Sequence, residues 1–119
     1  TGSLIADGCR IGQNVTISNS VIGLRTVVGD NVVIKDSVVM GADFMDDPSK
    51  LAEGVLPLGI GSGTTIQGTI LDKNCRIGSN VQIVNKAGIE NQGEDDVLQV
   101  RDGISIVIKN GQIEDGFTF

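Results

Sequence analysis

Residues 5–40 read IADGCRIGQNVTISNSVIGLRTVVGDNVVIKDSVVM. Within them Ile5, Ile11 and Ile17 fall six apart, and after a five-residue step Ile22, Val28, Ile34 and Met40 fall six apart again. The spacing resumes at Ile60 and Ile66, takes another five-residue step to Leu71, and continues through Ile77 and Ile83. Gly follows these anchors at Gly12, Gly23, Gly29, Gly41, Gly61 and Gly78. A small or β-branched residue stands four positions after them, as at Cys9, Val15, Val21, Thr26, Val32, Val38, Thr64, Ile70, Cys75 and Val81. A period of six with two inward positions fits one short strand and one turn per hexapeptide. Three hexapeptides close a triangular coil, and coils stack at the inter-strand spacing of about 4.8 Å. The predicted fold is therefore all-β: a left-handed parallel β-helix with aliphatic ladders inside. Gly after the anchor is expected where the turn needs positive φ or close backbone approach.

Composition agrees with that reading. The chain has 119 residues, with 15 Ile and 14 Val against 7 Leu and 4 Ala, so β-branched residues outnumber helix formers. One domain is expected over residues 1–119, with hexapeptide coils over 3–87. The spacing lapses over residues 43–58, DFMDDPSKLAEGVLPL, which reads as a loop extruded from one corner, with a helical turn at Lys50 to Glu53. Residues 88–119 read as terminal strands that cap the open end. Val97 to Val100 and Ile104 to Ile108 alternate as strands, joined by a turn at Arg101, Asp102 and Gly103.

The chemistry is bounded by what the chain contains. It has no His, which removes His-ligated zinc, Ser–His nucleophiles and a His base. A net charge of −6 with three Phe, no Tyr and no Trp argues against nucleic acid and anionic membranes. Two cysteines, Cys9 and Cys75, make no disulfide framework and are expected as core filler in a reducing, cytoplasmic compartment. Arg10 and Arg76 recur at equivalent repeat positions and are expected to lay their stems over the prism wall in solvent. Arg25 is expected to serve structure, and Asp43, Asp46 and Asp47 to form a solvated loop. No catalytic residue, metal ligand or cofactor site is read in the segment. On these grounds alone the chain is a non-catalytic part that assembles, regulates or scaffolds.

Motifs around the repeat are more specific. SVIGLR at Ser20 to Arg25, MGADF at Met40 to Phe44, PLGIG at Pro57 to Gly61, LDKNCRIGSNVQIVNK at Leu71 to Lys86 and DGISIVIKNGQI at Asp102 to Ile113 occur in order. Together they resemble the C-terminal β-helix domain of ADP-glucose pyrophosphorylase, also called glucose-1-phosphate adenylyltransferase, of the plant and cyanobacterial small-subunit kind. The resemblance implies an enzyme that makes ADP-glucose and pyrophosphate from ATP and glucose 1-phosphate with Mg²⁺, for glycogen or starch synthesis. It implies that ATP and Mg²⁺ are handled by an N-terminal nucleotidyltransferase domain absent from this chain. It also implies a home in the bacterial cytoplasm, or in a plastid if the source is a plant. The partners it implies are that catalytic domain, further copies in a homo- or hetero-oligomer (a tetramer when intact), and the effectors 3-phosphoglycerate and phosphate. Carried over position by position, it assigns effector binding to Lys73 of LDKN and Lys109 of VIKN, with Lys86 and Arg101 as weaker candidates. Two ammoniums can share one phosphate, so local cations attract a polyanion even to an acidic domain. The alternatives are a free-standing β-helix scaffold and the β-helix of another sugar-nucleotide pyrophosphorylase.

Overall fold

A computed structural model describes residues 2–93 and 96–119. The chain winds through five coils. The first holds β1 (Leu4–Ile5), β2 (Arg10–Ile11) and β3 (Thr16–Ser18), and the second β4 (Val21–Ile22), β5 (Val27–Val28) and β6 (Val33–Lys35). The third holds β7 (Val38–Val39), β8 (Gly59–Ile60) and β9 (Thr65–Gln67), and the fourth β10 (Thr69–Leu71), β11 (Arg76–Ile77) and β12 (Gln82–Ile83). After a connection, β13 (Leu98–Arg101), β14 (Ile104–Val107) and β15 (Gln112–Ile113) follow, and Thr118 then bridges Gln82 in parallel. Equivalent strands stack into three sheets. Sheet A runs β1-β4-β7-β10-β14-β13, sheet B β15-β11-β8-β5-β2 and sheet C β12-β9-β6-β3. Among the described residues every pairing between strands is parallel except β13 with β14, which a turn at Asp102 and Gly103, both at positive φ, folds back on itself, and Gln92 adds an antiparallel bridge to Val100. The terminal strands thus close the open end by adding one more coil, edged by β13.

The core is the stack of inward anchors. Sheet A contributes Ile22, Val39, Leu71 and Val107, sheet B Val28, Ile60, Ile77 and Ile113, and sheet C Ile34, Ile66 and Ile83, all buried. Their partners in register lie one coil above and below, so each row is a ladder. One expected anchor is wrong. Met40 is exposed, and Val39 pairs with Ile22 and Leu71 in its place. The corner from sheet C to sheet A is one residue shorter than the other two, so it spans five residues from Ile34 to Val39, as it does from Ile17 to Ile22 and Ile66 to Leu71.

That shorter corner also moves the small inward residue. Val21 and Val38, expected inside, are exposed. Ser20, Ser37 and Thr69 are buried instead, three residues after their anchors. They form a hydroxyl ladder: Ser20 N–H donates to Ser3 Oγ, Ser37 N–H to Ser20 Oγ and Thr69 N–H to Ser37 Oγ, at 3.1, 3.1 and 3.2 Å. Each hydroxyl of Ser20, Ser37 and Thr69 donates in turn to the carbonyl two residues back, so these three buried hydroxyls are satisfied, whereas the buried Ser105 Oγ, next in register after Thr69, has no hydrogen-bond partner among the described residues.

At Gly12, Gly23, Gly29, Gly61 and Gly78 the glycine serves close approach, while Gly41, which follows the displaced Met40, stands at φ 90. A Cβ on Gly23 would strike the backbone carbonyl of Met40 in the next coil. The left-handed corner positions belong mainly to Asn, at Asn14, Asn31, Asn74, Asn80 and Asn110, three residues after an anchor in each case. Asn tolerates this conformation better than other side chains.

Cys9 and Cys75 pack into the core as expected. Burial pushes the Cys75 thiol up to about 12, so it holds its proton at neutral pH and stays inert. Alkylation at pH 8 is expected to leave Cys75 unmodified in the folded chain and to label it after denaturation. Mass spectrometry of the Cys75 peptide reads the difference.

A corner with two stacked lysines

The corner joining sheets A and B holds both lysines expected to bind an effector. Leu71 pairs with Val107 in register, so Lys73 and Lys109 each stand two residues past an equivalent anchor in consecutive coils. Asn74 and Asn110 follow them, both at positive φ, and Asn110 N–H donates to the Lys73 carbonyl at 2.9 Å. Two successive left-handed turns thus set the two lysines one above the other, about one strand spacing of 4.8 Å apart at the backbone.

In the third coil the same corner is opened by the insertion between Val39 and Gly59. Asp43 lies at its start and turns back onto the fourth coil. Its Oδ1 accepts from Lys73 Nζ at 3.1 Å and its Oδ2 from Asn74 Nδ2 at 3.2 Å, while Asp43 N–H donates to Asn74 Oδ1 at 2.9 Å. The hydrogen bonds from Lys73 and Asn74 outweigh desolvation and, with smaller pulls from the Lys73 and Lys109 charges, hold the Asp43 carboxyl below its ordinary range.

Lys86 and Arg101 are not brought to this corner. Lys86 follows the corner residue Asn85 beyond β12, and Arg101 ends β13. Both lie by the turn that leads into β14, at the opposite end of that strand from Lys109: Asn85 Nδ2 donates to the carbonyl of Ile89 at 2.8 Å and reaches that of Gly103. The Arg101 guanidinium is spent on the carbonyls of Gln92 and Val100 and on Gln99.

The insertion itself is fastened to the outer wall of sheet B. Arg76, expected as a solvated stem, instead grips Asp46 through both terminal nitrogens, at 2.9 and 3.1 Å, and donates to the Leu56 carbonyl at 2.7 Å. Its side chain is 18% exposed and that of Asp46 13%, so this pair is largely desolvated. Gln112 adds a clamp, accepting from Leu56 N–H and donating to the Gly54 carbonyl. The expected helical turn lies a few residues earlier than predicted, as a 3-10 turn at Pro48–Lys50 capped by the Asp47 carboxylate on Ser49 N–H. Of the acidic residues expected in a solvated loop, only Asp47 and Asp43 remain exposed.

Arg25 stands at the same corner, held in left-handed geometry at φ 58, and donates to the Ala42 carbonyl at 3.1 Å. It props the mouth of the insertion, in keeping with a structural role. Among the described residues no group of three or more His, Cys, Asp or Glu is arranged to hold a metal ion.

The family model described as the GLGC left-handed parallel β-helix domain matches residues 1–118. The chain belongs to that family. It is thereby a domain of the glucose-1-phosphate adenylyltransferases, and the left-handed parallel β-helix expected from the hexapeptide spacing is its fold.

Burial acts on Asp46 first and raises its pKa. The Arg76 hydrogen bonds, the Leu58 N–H bond and the Arg76 charge outweigh it and hold the carboxyl below the ordinary 3.8. A depressed carboxyl stabilises the fold fully above its unfolded value and loses that contribution as pH falls through the folded value. The urea midpoint is expected to be level from pH 7 to about 5 and to fall below about 4. In Asp46→Asn that acid slope becomes shallower.

Proposed function

We propose that this chain is the regulatory and assembly domain of an enzyme making ADP-glucose and pyrophosphate from ATP and glucose 1-phosphate. On this reading Lys73 and Lys109 bind the phosphate of an effector such as 3-phosphoglycerate or inorganic phosphate. One observation carries it: the two lysines occupy the same position of consecutive coils at one corner. A phosphate has oxygens enough for both ammoniums, and a rigid solenoid holds them at fixed spacing without ordering a loop. ATP and Mg²⁺ belong, on this reading, to a catalytic domain outside this chain, and Lys86 and Arg101 have no part in the effector site.

The outer face of sheet A supports the assembly half of the proposal. Leu4, Val21 and Val38 form an exposed aliphatic row across consecutive strands, continued by the half-buried Ile70 and Ile106. Such a row gives the domain a surface to lay against its own catalytic domain or another copy.

In the intact enzyme, Lys73→Ala and Lys109→Ala are each expected to raise the activator concentration for half-maximal response about tenfold or more, since hydrogen bonds to charged groups are worth about 1.5–3 kcal/mol. The basal rate of ADP-glucose formation is expected to stay unchanged. An unaltered activator response in both variants contradicts the assignment.

A further inference from the structure

Resting on the effector reading above, we propose that Asp43 is an internal competitor for the anion and that Asn74 is a third ligand it conceals. The Asp43 carboxylate sits on the donors that a phosphate would use. One oxygen takes Lys73 Nζ and the other takes Asn74 Nδ2. A carboxylate and a phosphate oxygen make the same charge-assisted hydrogen bonds, so they exclude each other. The exchange is feasible because the pair is open to water: the Lys73 and Asp43 side chains are 45% and 48% exposed. An exposed pair of this kind is weak, so an incoming dianion displaces it readily.

Displacement leaves a defined site. Lys73 Nζ and Asn74 Nδ2 are both released toward the anion, and Lys109 stands one coil along. Asn74 itself does not move, because its backbone is fixed in a left-handed turn and its N–H donates to the Gly41 carbonyl at 3.0 Å. Its Oδ1 keeps the Asp43 N–H. The same exchange frees the Asp43 side chain near the start of the insertion, so the anion is read out as altered freedom at residues near Asp43. By linkage, whatever holds Asp43 on Lys73 weakens the anion, and the anion weakens that contact by the same factor.

The test is a titration of the ¹⁵N-labelled chain with inorganic phosphate at pH 7.5 and fixed ionic strength, following the amides of Lys73, Asn74 and Lys109 by NMR. Asp43→Asn is expected to bind phosphate roughly three- to tenfold more tightly than the unaltered chain, through loss of the competitor and of its repulsion. Glu53→Gln, which removes an exposed charge elsewhere in the insertion, is expected to change affinity less than twofold. Asn74→Asp, which keeps the left-handed turn, is expected to weaken binding. If Lys73→Ala and Lys109→Ala weaken phosphate binding while Asp43→Asn does not tighten it, the competitor is overturned and the effector site stands. Equal tightening by Glu53→Gln also overturns it. If neither lysine variant alters phosphate binding, the effector reading fails and takes this inference with it.

Discussion

Ile66→Ala is expected to lower the unfolding free energy by about 3–4 kcal/mol, within the range for removing a large buried aliphatic side chain. Ile66 is fully buried in β9 and lies in register between Ile34 and Ile83. Each neighbour is itself held by its own strand pairing, so none can slide into the vacated space without breaking a ladder. The void therefore persists, and its cost adds to the lost transfer energy. Stability in a solenoid is shared between neighbouring coils, so in an interior coil such as the third one substitution weakens two interfaces at once. Ile11→Ala, in the first coil where the anchor is already 39% exposed, is expected to cost about 1 kcal/mol. Urea midpoints at constant slope give both values. A cost at Ile66 no larger than that at Ile11 would mean that the inward ladder is not the core.

Arg76→Met is expected to cost about 2–3 kcal/mol and to release the insertion from sheet B. Removing one partner of a buried pair costs about 3–5 kcal/mol, because the other charge is stranded; the residual exposure of Arg76 and Asp46 puts this case at or below the low end. Three contacts are lost together, two to Asp46 and one to the Leu56 carbonyl. The loop then depends on Gln112 and the Leu58 N–H. Trypsin is expected to cut after Lys50, whose side chain is already 82% exposed, many times faster than in the unaltered chain. The double variant Asp46→Leu/Arg76→Met is expected to recover part of the loss, since it strands no charge. Cleavage at Lys50 at the same rate in Arg76→Met would show that the pair does not hold the loop.

The anchors were legible because each is an aliphatic residue six from the last, and a period of six has few structural explanations. The five-residue step from Ile34 to Val39 was hidden because Val39 and Met40 are adjacent and both apolar, so the spacing accepted either. The hydroxyl ladder Ser20–Ser37–Thr69 was missed for the same cause, since the step displaces the inward position by one. Asn14, Asn31, Asn74, Asn80 and Asn110, each three past an anchor, carried the corner signal that would have fixed the register.

The two lysines could be named from their motifs, but their stacking depends on matching Val107 with Leu71 across an irregular connection that breaks the spacing. The partners of Arg76 and Lys73 were not legible at all. Asp46 and Asp43 precede them by 30 residues, and only the path of the insertion over the wall of sheet B brings them back.

The most direct test of the shared anion is a double-variant cycle on activation of the intact enzyme by 3-phosphoglycerate, using Lys73→Ala, Lys109→Ala and both together. If one phosphate bridges the stacked lysines, the second substitution adds much less than it does alone, a coupling of about 1 kcal/mol or more. Losses that multiply as independent factors would place the lysines in separate roles and contradict a shared site.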